Sequence, residues 1–103
     1  MGTNIEKDTI PWDVTRYLGS EAAQVEYLST VLEENDAAAF ADAIGAVARA
    51  RGMSQVAKDA DMPRDTLYKA FRDGGNPTLD TVLRVLHALG IKLTASPSSS
   101  KAA

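Results

Sequence analysis

R-G-M-S-Q-V-A-K-D-A-D-M-P-R-D-T-L-Y-K-A-F, residues 51–71, is the stretch that decides the fold. It holds two short runs of helical spacing, and D-M-P at 61–63 separates them after barely two turns. Two-turn helices are marginal in water by themselves, so both runs must be held by neighbours. A turn of three or four residues sets two such helices steeply across each other, the helix-turn-helix arrangement. The first helix then backs the second and leaves the far side of the second bare.

The residue types fit those positions one by one. Ser54 reads as the N-cap of the first run, with Val56, Ala57 and Ala60 facing inward. Ala57 falls where the helices cross, and a larger side chain there would push them apart. Asp61 occupies a turn position whose backbone tends to be left-handed, and Asp is among the few residues besides glycine that tolerate it. Met62 plugs the turn, and Pro63 falls in the first turn of the second helix, where its missing N–H is not needed. Leu67, Ala70 and Phe71 form the inward face of that helix. Outward, Arg64, Tyr68 and Arg72 recur at i, i+4 and i+8, with Asp65 and Lys69 alongside. Arginine chelates guanine O6 and N7 in the major groove, lysine reaches a base or a phosphate, and tyrosine meets phosphate or a thymine methyl. Ser54 and Gln55, at the start of the first helix, are placed to grip backbone phosphate. The plainer reading of the same face is the solvated side of a helical bundle.

Upstream, Asp36 is a good N-cap for A-A-A-F-A-D-A-I-G-A-V-A-R-A-R, with Phe40, Ile44, Val47 and Ala48 as its buried face. The alanines crowded on that face imply close helix packing. Gly52 after Arg49 and Arg51 is the glycine stop with a basic last turn that ends a helix. Ser20 reads as another N-cap with Glu21 in the first turn, and 20–34 as an amphipathic helix. Val25, Leu28 and Leu32 mark its stripe, with Tyr27 and Val31 beside it. Ile10-Pro11-Trp12 opens the ordered part, Trp12 as an anchor, and 13–18 reads as a short helix or turn. Downstream, the second helix runs to about Arg72 and stops at Gly74-Gly75. Asn76-Pro77-Thr78 is a turn with Thr78 as N-cap, and apolar residues recur at 79, 82, 83, 86 and 89. Gly90 ends that helix, and Ile91-Lys92-Leu93-Thr94 alternates as a short strand does. The chain therefore divides into a flexible N-terminus (1–9), an N-terminal helical extension (10–35), a helix-turn-helix domain (36–95) and a disordered tail (96–103).

Bulk properties bound the function. A chain of 103 residues with 45% hydrophobic and 24% charged residues holds one domain with a small core. It has no cysteine, which excludes disulfides, thiolate metal sites and a thiol nucleophile. No apolar run approaches the roughly 18 residues of a membrane span, and M-G-T-N-I-E-K-D is no secretion signal, so a cytoplasmic location is expected. The net charge of −3 hides a split. Residues 1–48 carry two cations against nine acids, a net −7, while 49–103 carry nine cations against five acids, a net +4. Two surfaces with two kinds of partner follow from such asymmetry. His87, the only histidine, has no carboxylate at metal-ligand spacing. Glu33, Glu34 and Asp36 diverge around a helix end and have no nucleophile beside them, and Gly74-Gly75 lacks the spacing and lysine of a phosphate loop. No enzyme, metal or cofactor is expected.

The segments A-R-A-R-G-M-S-Q-V-A, R-D-T-L-Y-K-A-F and G-N-P-T-L-D-T-V-L-R-V-L-H-A-L-G, together with W-D-V-T-R-Y-L and E-Y-L-S-T-V-L-E-E-N-D, are similar to those of the addiction-module antidote proteins. The resemblance covers about residues 10–95. It implies a lambda-repressor-like, phage-type helix-turn-helix, which joins the all-α reading above with its N-terminal amphipathic helix and one short C-terminal strand at 91–94. It also implies a bacterial antitoxin that blocks a small basic toxin of the RelE/ParE type and represses the shared operon. Carried over by position, Gln55, Arg64, Asp65, Tyr68, Lys69 and Arg72 contact DNA. Pro63 departs from the pattern, where Ser or Thr is usual, which removes a hydroxyl that would touch phosphate. The acidic half would attract a basic toxin, with Tyr27, Leu28, Val31 and Leu32 as apolar anchorage or, equally, as packing on the DNA-binding domain. One such helix reads half a site, so a homodimer or a toxin-bridged assembly on operator DNA is expected. The rival readings are a stand-alone repressor without a toxin and a protein-binding module that no longer reads DNA.

Overall fold

Three side chains start helices where the sequence places them. Ser20 Oγ accepts from Ala23 N–H at 3.1 Å, Asp36 Oδ1 from Ala39 N–H at 3.0 Å, and Thr78 Oγ1 from Thr81 N–H at 3.1 Å. Each satisfies one of the donors that a helix start leaves open. The computed structural model describes residues 17–98, and its regular elements are all helical: α1 (Glu21–Leu32), α2 (Ala37–Arg51), α3 (Met53–Asp59), α4 (Arg64–Phe71) and α5 (Leu79–Ala88). The readings of 1–9, of Ile10-Pro11-Trp12, of all but the end of 13–18 and of the last tail residues lie outside the described residues.

α2 is the central rod. Ala43, Ile44, Val47 and Ala48 are fully buried, and α1, α3 and α4 pack around it while α5 closes on α3. Leu67 and Phe71 of α4 and Val85, Leu86 and Leu89 of the α5 region complete the core. Each large side chain buried in full contributes about 1.5–3 kcal/mol, which is how two helices of seven and eight residues persist. The alanine-rich face does bring helices close. A Cβ on Gly45 would stand 2.7 Å from the Phe71 carbonyl oxygen, so the end of α4 rests on the α2 backbone.

The break at 60–63 is a complete helix stop. Asp61 has φ +58°, its N–H donates to Lys58 O at 3.1 Å, and Met62 N–H donates to Ala57 O at 3.0 Å. That pair of bonds is a Schellman motif with aspartate in the left-handed position and half-buried Met62 as its apolar follower. Arg84 of α5 locks it, its Nη2 donating to Ala60 O at 3.1 Å and Asp61 O at 2.9 Å. A second lock joins three elements: Arg51 Nε donates to Gln24 Oε1 at 2.8 Å and its Nη2 to Leu89 O at 2.9 Å, while Gln24 Nε2 donates to Leu18 O at 2.9 Å.

Several expectations need correction. Ser54 does not cap α3. Gly52, at φ +111°, ends α2 by donating to Ala48 O and accepts the first α3 bond from Val56 N–H, so α3 begins at Met53, two residues before the Gln55 that a Ser54 cap would give. Pro63 is the N-cap of α4 and not its first residue, with ψ 145° and its carbonyl accepting from Leu67 N–H. The α1 stripe is rotated: Gln24 and Leu28 are buried, whereas Val25 and Leu32 are 40% exposed, because the amide of Gln24 is needed inside for Leu18 and Arg51. Residues 91–94 form no strand, and none forms among the described residues. Gly90 (φ +75°) and Ile91 close α5 in another Schellman motif, with Ile91 N–H donated back to Leu86 O. The alternation of Ile91 and Leu93 is that of one extended segment laid on the core.

Candidate nucleic-acid interface

α4 is divided cleanly by burial. Leu67 and Phe71 are 0% and 2% exposed, while Arg64, Asp65, Tyr68, Lys69 and Arg72 all face solvent, Tyr68 by 54%. Ser54 and Gln55 are exposed in the first turn of α3. All seven residues thus belong to the α3–turn–α4 unit and to its solvent side. Lys69 Nζ lies 3.2 Å from Asp65 Oδ2, and Gln55 Nε2 donates to Asp59 Oδ1 at 2.9 Å. Both contacts are exposed, and pairs of that kind contribute little, so an incoming phosphate or base can replace them.

Arg64, Tyr68 and Arg72 make no side-chain hydrogen bond or ion pair among the described residues. Arg64 also occupies the first position of α4, beside the positive end of the helix dipole, where a cation is disfavoured by about 0.3–1 kcal/mol. A locally unfavourable charge with no partner among the described residues is what a site for an external anion leaves in the free protein. Asp65, in the same turn, offsets part of that cost. The chemistry on offer is a fork of N–H donors, an ammonium and a phenol on one protruding helix.

The N-terminal set separates by burial. Leu28 is a core residue at 4% exposure, Tyr27 and Val31 are half-buried against that core, and Leu32 alone of the four is open to a partner. Burial pushes the Tyr27 phenol above its ordinary value of 10.0, with the Asp42 carboxylate adding to the rise, Arg49 opposing it and Glu34 adding again. Sequence reasoning missed Gln24 and Arg84, and read Arg51 only as a helix-end cation. A long polar side chain in a run of helical spacing gives no sign of the backbone carbonyl it will meet 6, 23, 24 or 38 residues away along the chain. No described helix is long and apolar enough to cross a membrane, and no group of three metal-ligating side chains occurs among the described residues.

No solved structure matches the chain. A curated protein of Haemophilus influenzae, described as uncharacterized, is 41% identical over 87 residues, which cover 84% of this chain and 90% of that protein. The family model described as "Probable addiction module antidote protein" matches residues 8–97, nearly the whole chain, so the protein belongs to that antidote family.

Proposed function

We propose that the protein is the antitoxin of a bacterial toxin–antitoxin pair, cytoplasmic and without catalytic activity, that binds a small basic toxin of the RelE/ParE type and represses its own operon as a homodimer. The α3–turn–α4 unit acts as a helix-turn-helix, with α4 entering the major groove and the start of α3 against phosphate. One observation carries the DNA half of this reading: Arg64, Tyr68 and Arg72 stand exposed, unpaired among the described residues, on a helix whose other face is locked into the core. Membership of the antidote family carries the toxin half.

The test is a titration of DNA from upstream of its gene at several salt concentrations. The logarithm of the association constant should fall with the logarithm of salt, by about 0.9 for each phosphate contacted. Arg64→Ala should weaken binding by about 1–3 kcal/mol and relax sequence preference at one position of each half-site. A salt-independent affinity, or Arg64→Ala binding as tightly as the wild type, overturns the reading.

A further inference from the structure

Beside the α4 face, and sharing none of its charged residues, lies an apolar groove of about 760 Å³. Its walls come from the end of α1 (Leu32), the first half of α2 (Phe40), the α4–α5 turn (Pro77), the start of α5 (Leu79 and Val82) and the C-terminal segment (Leu93). Leu79 is 69% exposed and Leu32 40%, so two large apolar side chains stand open at one surface groove. Scattered exposed leucines need no explanation, but leucines converging on one concavity mark an interaction site.

Charge decides which occupant fits. Asp36 lines the groove and, among the described residues, no Lys or Arg does. Glu33 and Glu34 lie in the chain between lining residues Leu32 and Asn35, and Asp80 between Leu79 and Val82. All three are exposed, and none has an ion pair among the described residues. A second copy seated symmetrically on this surface would set these carboxylates against their own duplicates, because a two-fold contact repeats the same patch on both sides. Such like-charge apposition opposes binding. A cationic segment with an apolar stripe meets both features at once, leucines in the groove and ammonium or guanidinium groups on the rim.

We propose that this groove is where the antidote holds its toxin, through a cationic, amphipathic segment of that protein with Leu79 as the central anchor. The inference rests on the antitoxin reading above and assigns its partner surface to the α1–α2 corner and the α5 start. Leu28, Tyr27 and Val31 then support the site from behind, and Leu32 is the α1 residue that touches the partner.

The experiment uses the full chain and, as probe, the purified product of the reading frame adjoining its gene, with affinity measured by calorimetry. Two variants are compared with the wild type: Leu79→Lys, and the double change Glu33→Lys with Glu34→Lys. Both alter exposed side chains, and a cation at the C-terminal end of α1 suits the helix dipole, so thermal melts should be unchanged. Leu79→Lys should weaken binding about thirtyfold or more, the loss typical of a central anchor. The rim reversal should weaken it about tenfold at low salt, with the deficit shrinking as salt rises. Arg64→Ala should bind the partner as the wild type does. If the adjoining product binds the wild type and both groove variants equally, the groove assignment is overturned while the antitoxin reading stands. If it does not bind the wild type, both fall. A lower molecular mass for Leu79→Lys with partner affinity intact would assign the groove to a second copy. A lowered melt with partner affinity intact would assign it to the chain's own residues 1–16. Either result overturns the proposal.

Discussion

Gly45 sits inside a helix of fifteen residues, where glycine costs about 1 kcal/mol relative to alanine. Propensity alone therefore says that Gly45→Ala should stabilise the fold. The 2.7 Å approach to the Phe71 carbonyl says the opposite, because backbone cannot rotate away as a side-chain tip can. The contact should win, and Gly45→Ala should lower stability by about 1–3 kcal/mol in urea unfolding, the usual penalty of overpacking. A neutral or stabilised variant would show that α4 can lift off α2 freely. Tyr27 gives a pH dependence. Its folded-state pKa lies above the ordinary 10.0, so the folded chain holds the phenolic proton more tightly than the unfolded one. Its contribution is fully present at neutral pH and is lost as pH rises past 10.0 towards the raised value. Tyr27→Phe should therefore lose less stability than the wild type between neutral and strongly alkaline pH, and denaturant midpoints across that range would show it. At this scale Asp61 was legible from sequence, because few residues accept a left-handed backbone and the turn needed one. Gly45 was not, since its reason is the carbonyl of a residue twenty-six positions later.

Among elements, the α3–turn–α4 unit depends on α5. Arg84 donates to the carbonyls of Ala60 and Asp61, oxygens at the C-terminal end of α3 that have no helical partner. A leucine there would keep the packing of the side-chain stem but leave both oxygens to water. Arg84→Leu should lower stability by about 1.5–3 kcal/mol, the range for hydrogen bonds from a charged donor. It should also loosen the angle at which α4 is presented, so operator affinity should fall although Arg84 is not on the α4 face. Amide exchange in α3 and α4, faster in the variant than in α2, is the measurement that separates this from general destabilisation. The existence of all five helices was readable from caps and periodicity, and Ser20, Asp36 and Thr78 act as read. The ends were less so. Gly52 serves two helices at once, which moved the start of α3 past the Ser54 that looked like its cap. The period-two pattern at 91–94 arises because one face of an extended segment packs down, and a single such segment has no neighbour to make it a sheet. The sequence marks an apolar stripe at 79, 82, 83, 86 and 89, of which Leu79 and Leu83 remain 69% and 47% exposed among the described residues, because periodicity marks a face without saying what covers it.

Across the whole molecule the charge split agrees with the two surfaces proposed above. The −7 of residues 1–48 and the +4 of residues 49–103 were legible by counting, whereas the groove was not, because its walls are drawn from three separate stretches (32–41, 74–82 and 93) that only folding brings together. The α4 face and the groove have no lining residue in common, so the proposed partner site is separate from Arg64, Tyr68 and Arg72. The two ligands should then bind together, and a ternary complex should migrate behind the binary one in a gel shift. A further effect follows from charge. On the proposed reading, the acidic half opposes the approach of DNA to the basic helix, and a cationic partner seated among Glu33, Glu34 and Asp80 would cancel part of that repulsion. Partner binding should thus raise operator affinity at low salt by about 1–3 kcal/mol, a typical coupling between sites. The coupling should fade as salt rises, since screening acts over about 10 Å at 0.1 M and less above it. Titrating DNA with and without the partner at a series of salt concentrations tests this directly. Displacement of the chain from DNA by the partner at every salt would mean that the two surfaces overlap in the assembly, and would reject the separation on which the argument stands.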